Sequence, residues 1–297
     1  APAAPTGSRV SGGRMKTGAL TGPAYGCAHA REGAGASVAR MTHSQRPASS
    51  YTTAVTIEDF RRNLAAVRAR IAAAADRVGR DASEIRLLPV SKTVPEDRIR
   101  TACAAGITQM GENKVQEAKR KAAALADLDI RWSVIGHLQT NKAKDVVAFA
   151  DEFQALDSLR VAEALDRRLQ PTGRGLDVFV QVNSSGEASK FGVEPDGVMG
   201  ILRRLPSYSC LRVVGLMTLA ARTDDEARIR ECFRIMRSLR EAALQEDLLS
   251  DGQLSMGMSG DFELAIEGGS TCVRVGQAIF GARSTPDSAY WPERSSR

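Results

Sequence analysis

The sequence predicts a single (β/α)8 barrel of the TIM type, and three observations predict it. Strand-like and helix-like patterns alternate eight times across the body of the 297-residue chain. Each gap between successive strand patterns has room for one helix, which is what a ring of parallel strands inside a ring of helices requires. After Phe280 only a short polar stretch with Pro286 and Pro292 remains, so no second domain is expected there. The expected organisation is an extension over residues 1–50, a barrel over 51–283 and a polar tail over 284–297.

The extension is rich in Gly, Ala, Ser and Arg, lacks apolar periodicity and contains Met15 and Met41 as candidate internal starts. Such a composition cannot bury enough apolar surface to offset ordering, so it is expected to be disordered. Arg-rich and acid-poor, it fits either a transit peptide or translation from an upstream start in a GC-rich gene, and we favour the second. The apolar core of a signal peptide is missing.

Within the body, Leu64, Val67, Ile71 and Val78 recur near helical spacing, so 57–79 reads as one amphipathic helix closed by Gly79. Eight strands follow, at 86–91, 107–111, 131–136, 152–156, 176–183, 211–218, 253–258 and 272–276. Helical stretches lie between them at about 95–105, 113–126, 140–149, 158–169, 196–204, 224–246 and 261–267. Pro95, Asp157-Ser158 and Thr223-Asp224 are start signals for three of these helices.

The net charge of +6 sits in the extension, where six Lys or Arg face one acid, Glu32; residues 51–297 hold 35 basic and 34 acidic residues. A near-neutral body with four Tyr and two Trp offers neither a basic stripe nor a stacking platform, which excludes nucleic-acid binding. Five cysteines lack the CxxC spacing of metal or redox sites and read as reduced thiols of a cytoplasmic protein. No apolar run approaches the roughly 20 residues that span a bilayer.

Functional groups of such a barrel come from the carboxyl ends of its strands. Those positions are Lys92, Glu112-Asn113, His137, Asp157, Asn183, Met217-Thr218, Ser259 and Arg274-Val275-Gly276. An amine, a guanidinium, a His and several neutral hydrogen-bonding groups describe a pocket for a polar small molecule. No HxH or HExxH pattern accompanies the three His, so a metal site is not expected. Lys92 ends the apolar run Arg86–Ser91, and a solvated strand end is the alternative to a functional amine there.

The stretch Ser255-Met256-Gly257-Met258-Ser259-Gly260-Asp261 runs from a strand straight into a helix. Its backbone N–H groups suit a phosphate, which TIM barrels often hold after strands 7 and 8; Ser259 as a plain helix cap is the alternative. Cys272, Arg274 and Gly276 share one face of a short strand, so the Arg274 guanidinium is expected in the barrel mouth, needing an acceptor. A ligand or a buried structural ion pair would satisfy it equally.

These residues resemble the pyridoxal 5′-phosphate homeostasis protein family over 57–281. The similarity is carried by Val90-Ser91-Lys92-Thr93, Gly111-Glu112-Asn113 with Val115-Gln116-Glu117, Ile135-Gly136-His137-Leu138-Gln139-Thr140-Asn141-Lys142, Gly215-Leu216-Met217, Leu254 through Ser259, and Val273-Arg274-Val275-Gly276 with Ile279-Phe280-Gly281. Lys114 departs from the pattern, which usually has Tyr after Glu-Asn. The resemblance implies a barrel of the alanine racemase N-terminal-domain type holding pyridoxal 5′-phosphate on Lys92 as an internal aldimine. A lysine in that role must be partly unprotonated, as desolvation beside Arg274 favours. The resemblance further implies that the phosphate sits on backbone around Ser259 and Gly276, with Ser255 nearby. Arg274 then faces the pyridine nitrogen, weakening the cofactor as an electron sink. Asn113, His137 and Met217 are candidates to line the pocket, and His137 reads equally well as a packed barrel residue.

Racemisation needs two acid/base groups on opposite faces of the substrate adduct. In alanine racemases the second is a Tyr from a carboxyl-terminal β domain, and this sequence runs out about where that domain is expected. Tyr25, Tyr51, Tyr208 and Tyr290 stand away from strand carboxyl ends. The expected function is therefore a carrier that buffers pyridoxal phosphate and supplies apoenzymes, a monomer with no nucleic-acid or membrane partner. A pyridoxal-phosphate-dependent amino-acid racemase or lyase is the alternative, and a barrel for some other phosphate ligand, with Lys92 only in an ion pair, is the third reading.

Overall fold

The structure, a computed structural model, describes residues 55–281. The expected extension over 1–50 and polar tail over 284–297 lie outside the described residues.

Eight strands appear where the alternation requires them: β1 (Arg86–Pro89), β2 (Gln109–Glu112), β3 (Arg131–Val134), β4 (Glu152–Leu156), β5 (Leu176–Val182), β6 (Leu211–Thr218), β7 (Gln253–Ser255) and β8 (Cys272–Val275). Around them lie α1 (Ile57–Asp76), α2 (Glu96–Ala104), α3 (Val115–Ala124), α4 (Ala143–Val146), α5 (Leu159–Leu169), α6 (Val198–Leu202), α7 (Glu226–Gln245), α8 (Phe262–Glu267) and α9 (Gln277–Phe280). The strands are parallel in the order β1-β8-β7-β6-β5-β4-β3-β2. The ring closes through one bridge, Val90 with Gly111, where the Ser91 N–H donates to the Gly111 carbonyl at 3.0 Å. Gly111 suits this seam because a Cβ there would already press the Leu88 side chain at 3.3 Å.

Strand alternation sorts the core into layers. Leu88, Val90, Ile135 and Cys272 form a small apolar cluster of their own inside the ring. Their neighbours Val273, Val275, Met110 and Trp132 join Phe60, Leu64, Val67 and Ile71 of α1 in the layer between strands and helices. α1 starts cleanly because Thr56 and Asp59 form a reciprocal capping box.

Several boundaries differ from expectation for identifiable reasons. The expected helix at 140–149 shrinks to α4 behind a 3-10 turn at Thr140–Lys142. α1 ends at Asp76, and Gly79, at φ 66°, completes the turn beyond it. Ser158 does cap α5, accepting from the Val161 N–H. The cap of α7 is Asp225, one residue past the expected Thr223-Asp224 pair. The four-residue α9 has no counterpart in the sequence reading. Among the described residues no helix is long and apolar enough to cross a membrane.

Candidate functional site at the barrel mouth

β1 ends at Pro89, yet the chain stays in the barrel wall through Ser91 and then turns. The Val94 N–H donates to the Ser91 carbonyl at 2.9 Å, so Lys92 and Thr93 occupy the two central positions of a tight turn. Thr93 has φ 66°, the left-handed region that the third position of a type II turn demands and that a β-branched residue resists. Lys92 is only 5 % exposed, which rules out the solvated strand end.

Arg274 stands on β8, the strand paired with β1, with Leu88 as its register partner. It is 3 % exposed, donating from Nη1 to Ser255 Oγ at 2.6 Å and from Nη2 to the Thr218 carbonyl at 2.7 Å. Both acceptors are neutral, so these bonds are not the structural ion pair that was the alternative. Burial pushes the guanidinium down from its usual range, with Asp261 acting in the opposite direction. A buried cation whose hydrogen bonds reach only neutral oxygens favours an anionic or electron-rich guest beside it.

Ser255 in turn donates to Gln154 Oε1 at 2.7 Å, and Gln154 Nε2 donates to Glu152 Oε1 at 2.6 Å. Glu152 also accepts from Ser133 and from Arg86 Nη2 at 2.8 Å, at the foot of the barrel. Chemistry fixes each direction in this row. A guanidinium only donates and a carboxylate only accepts, so the hydroxyl and amide between them have no freedom to reverse.

The loop from Met256 to Asp261 is held tightly on α8. Gly257 has φ 94°, and a Cβ there would lie 2.6 Å from Ala265 Cβ and 2.8 Å from Phe262 Cα. A Cβ at Gly260 would meet nothing within 4 Å, so that end of the loop faces open space. The N-cap position of α8 belongs to Asp261, whose Oδ1 accepts the Met258 N–H at 2.6 Å, and Ser259 is not the cap. α8 is six residues long, so the local N–H groups of the loop rather than a helix dipole are what this segment offers an anion. Gly276 is buried at the start of α9 with φ −111°, a conformation open to any residue.

The remaining predicted positions separate into rim and wall. His137 is on the rim: its Nδ1 lies 2.8 Å from Asp157 Oδ2, and its ring stacks on Phe191 with centroids 3.9 Å apart. With its side chain 32 % exposed it is not a packed barrel residue. Asn113 is buried, and its carbonyl oxygen would be 2.0 Å from a Cβ at Gly136, so the β2 and β3 exits touch backbone to backbone. Met217 is fully buried beside Ser255, its register partner. Asn183 turns away to brace its own loop, donating to the Glu187 carbonyl and to Glu194 Oε1. Glu112 points outward between β2 and α3, into contacts with Ser91 and Lys121. Sequence reasoning missed Thr93, Gln154, Glu117 and Lys121; only the strict alternation of Glu112 with Asn113 signalled that the two face opposite ways. No cluster of His, Cys, Asp or Glu suited to a metal ion occurs among the described residues.

The family model described as alanine racemase, N-terminal domain, matches residues 55–284. The pyridoxal phosphate homeostasis protein of Pseudomonas aeruginosa is 42% identical over 222 residues, spanning 74% of this chain and 94% of that protein. The solved structure of PipY from Synechococcus elongatus with PLP bound superposes with a TM-score of 0.65 at 34% identity, covering 75% of this chain and all of that one (100%). Alanine racemase from Streptomyces coelicolor matches at 22% identity with a TM-score of 0.55, covering 75% of this chain and 60% of that one, a likeness of fold alone.

Proposed function

Given that this chain belongs to the pyridoxal phosphate homeostasis protein family, built on the N-terminal domain of alanine racemase, we propose that it binds pyridoxal 5′-phosphate at the barrel mouth through Lys92 and keeps that cofactor available to apoenzymes, as a carrier. The observation that carries the reading is the pairing of two buried basic side chains, Lys92 and Arg274, on adjacent strand ends next to a glycine-bearing loop.

The donor set fits this guest. Bound there, pyridoxal phosphate supplies an electrophilic aldehyde carbon, a pyridine nitrogen and a phosphate. Lys92 is the nucleophilic amine for the first. Arg274 answers the ring nitrogen, and its fixed charge leaves that nitrogen an acceptor rather than a protonated electron sink. Ser259 and Gly276, with the N–H groups around them, suit the phosphate, while Ser255 holds Arg274 in place. Asn113, Met217 and His137 complete the wall and rim.

Support for a carrier comes from the distribution of acid/base groups. Tyr208 precedes β6 and so lies at the foot of the barrel, away from Lys92. All candidate groups come from one chain, so a monomer suffices. Cys103, Cys210, Cys232 and Cys272 are free thiols, which supports a reducing compartment, the cytoplasm. A second reading, an amino-acid racemase or lyase, is favoured by the His137–Asp157 pair on the rim.

Mass spectrometry of the borohydride-reduced chain tests the reading. The cofactor's mass is expected on the peptide bearing Lys92, and the visible absorbance is expected to vanish in Lys92→Ala; absorbance that persists unchanged refutes the attachment. Amino-acid α-proton exchange that depends on Lys92 would replace the carrier with the second reading.

A further inference from the structure

Directly behind Lys92, on the outer side of the barrel wall, lies a buried charged cluster that the cofactor does not need. Lys121 of α3 is 0 % exposed, and its Nζ lies 2.6 Å from Glu112 Oε1, 2.7 Å from Glu117 Oε1 and 2.7 Å from the Ser91 carbonyl. Ser91 Oγ donates to the same Glu112 oxygen at 2.8 Å. Glu117 Oε1 accepts the Thr93 N–H at 2.8 Å. Thus the carbonyl before Lys92 and the amide after it are both gripped by one cation and its two carboxylates. Glu112 Oε2 is buried and makes no hydrogen bond among the described residues. Burying ions is costly, and apolar replacements of such clusters are often as stable.

We propose that Lys121, Glu117 and Glu112 are positioning residues for Lys92, holding the Ser91–Val94 turn in its left-handed form so that the amine is presented to the barrel mouth. The geometry gives each a task. Left-handed Thr93 is a strained conformation that persists only where its surroundings enforce it. Lys121 holds the carbonyl that closes the turn, Glu117 holds the strained residue's N–H, and Glu112 anchors Lys121 and keeps Ser91 facing outward. Released, the turn relaxes toward negative φ at Thr93 and the Lys92 side chain swings with it.

This inference rests on Lys92 as the attachment point, but its test does not. Competitive acetylation of the cofactor-free full chain, read by mass spectrometry against a reference amine across pH, reports the reactivity of Lys92 alone. Glu117→Leu, which removes both carboxylate oxygens at a position with a partly exposed side chain, is expected to move the Lys92 profile by about one pH unit, or about tenfold in rate at fixed pH, with the far-ultraviolet circular dichroism unchanged. Adding Thr93→Gly, which takes up the left-handed turn without strain, is expected to restore the profile. Lys121→Met should behave like Glu117→Leu wherever it folds. A profile unchanged within about twofold in Glu117→Leu overturns the proposal, as does a shifted profile that Thr93→Gly fails to restore. Failure to find cofactor on Lys92 would instead refute the attachment and leave these results standing.

Discussion

Arg274 Nη1 lies 2.6 Å from Ser255 Oγ, and Arg274 makes its other hydrogen bond to the Thr218 carbonyl, so a buried guanidinium is seated without a hydrogen-bonded carboxylate. Removing it separates scaffold from binding. Arg274→Met relieves the burial of a charge but strands two acceptors, for a net loss of about 1–3 kcal/mol in urea unfolding. It is also expected to weaken pyridoxal phosphate at least about tenfold by fluorescence titration. A stability loss without an affinity loss would make Arg274 purely structural.

Asp261 provides a pH test. Burial raises its carboxyl above the ordinary 3.8, against the pull of the Met258 N–H and of Arg274. A raised acid holds its proton more tightly in the folded chain, so its contribution is fully present below pH 3.8 and is lost as pH rises through the folded value. Asp261→Asn keeps an oxygen for the Met258 N–H and cannot ionise. Its stability relative to the parent should therefore improve between about pH 4 and pH 7 in urea unfolding. A decline over that range would show that attraction to Arg274 outweighs burial.

Two glycines make a controlled pair. Gly136→Ala drives a Cβ to 2.0 Å from the Asn113 carbonyl oxygen, which backbone movement must absorb, whereas Gly260→Ala meets nothing within 4 Å. The first is expected to cost about 1–3 kcal/mol and to disturb cofactor absorbance through Asn113. The second should stay within about 0.5 kcal/mol. Thermal melts with and without cofactor measure both.

The His137–Phe191 stack ties the rim of β3 to the loop after β5. Such a pair contributes about 0.5–1.5 kcal/mol, so His137→Ala should speed cofactor release about two- to tenfold and lower the melting temperature by about 1–5 °C. Stopped-flow transfer to an excess of scavenging apoenzyme reads this directly. Release at the parent rate would mean the stack does not gate the mouth.

Strands and site were legible to different degrees. β4 and β6 were readable to the residue at both ends, since alternating or continuous apolar runs are local signals. Lys92, Arg274 and the 255–261 loop were legible because a small motif fixes their place at strand ends. The left-handed turn at Thr93 was not, because a Thr there contradicts its local preference and is held by Glu117, 24 residues away. Lys121 was hidden for the same reason: within α3 it reads as a solvated lysine, and only tertiary packing makes it fully buried. The short α9 lacked a full helical period for any pattern to show.

The row from Arg274 through Ser255 and Gln154 to Glu152 has a sense as well as a path. Every donor along it points the same way, from the mouth toward the foot, so its polarity belongs to the row and not to any member. Reversing one link would require reversing all, and the two ends are pinned by groups that cannot switch roles. A change at Glu152, which touches nothing at the mouth, therefore reaches the mouth through Gln154 and Ser255, by altering how Arg274 is seated.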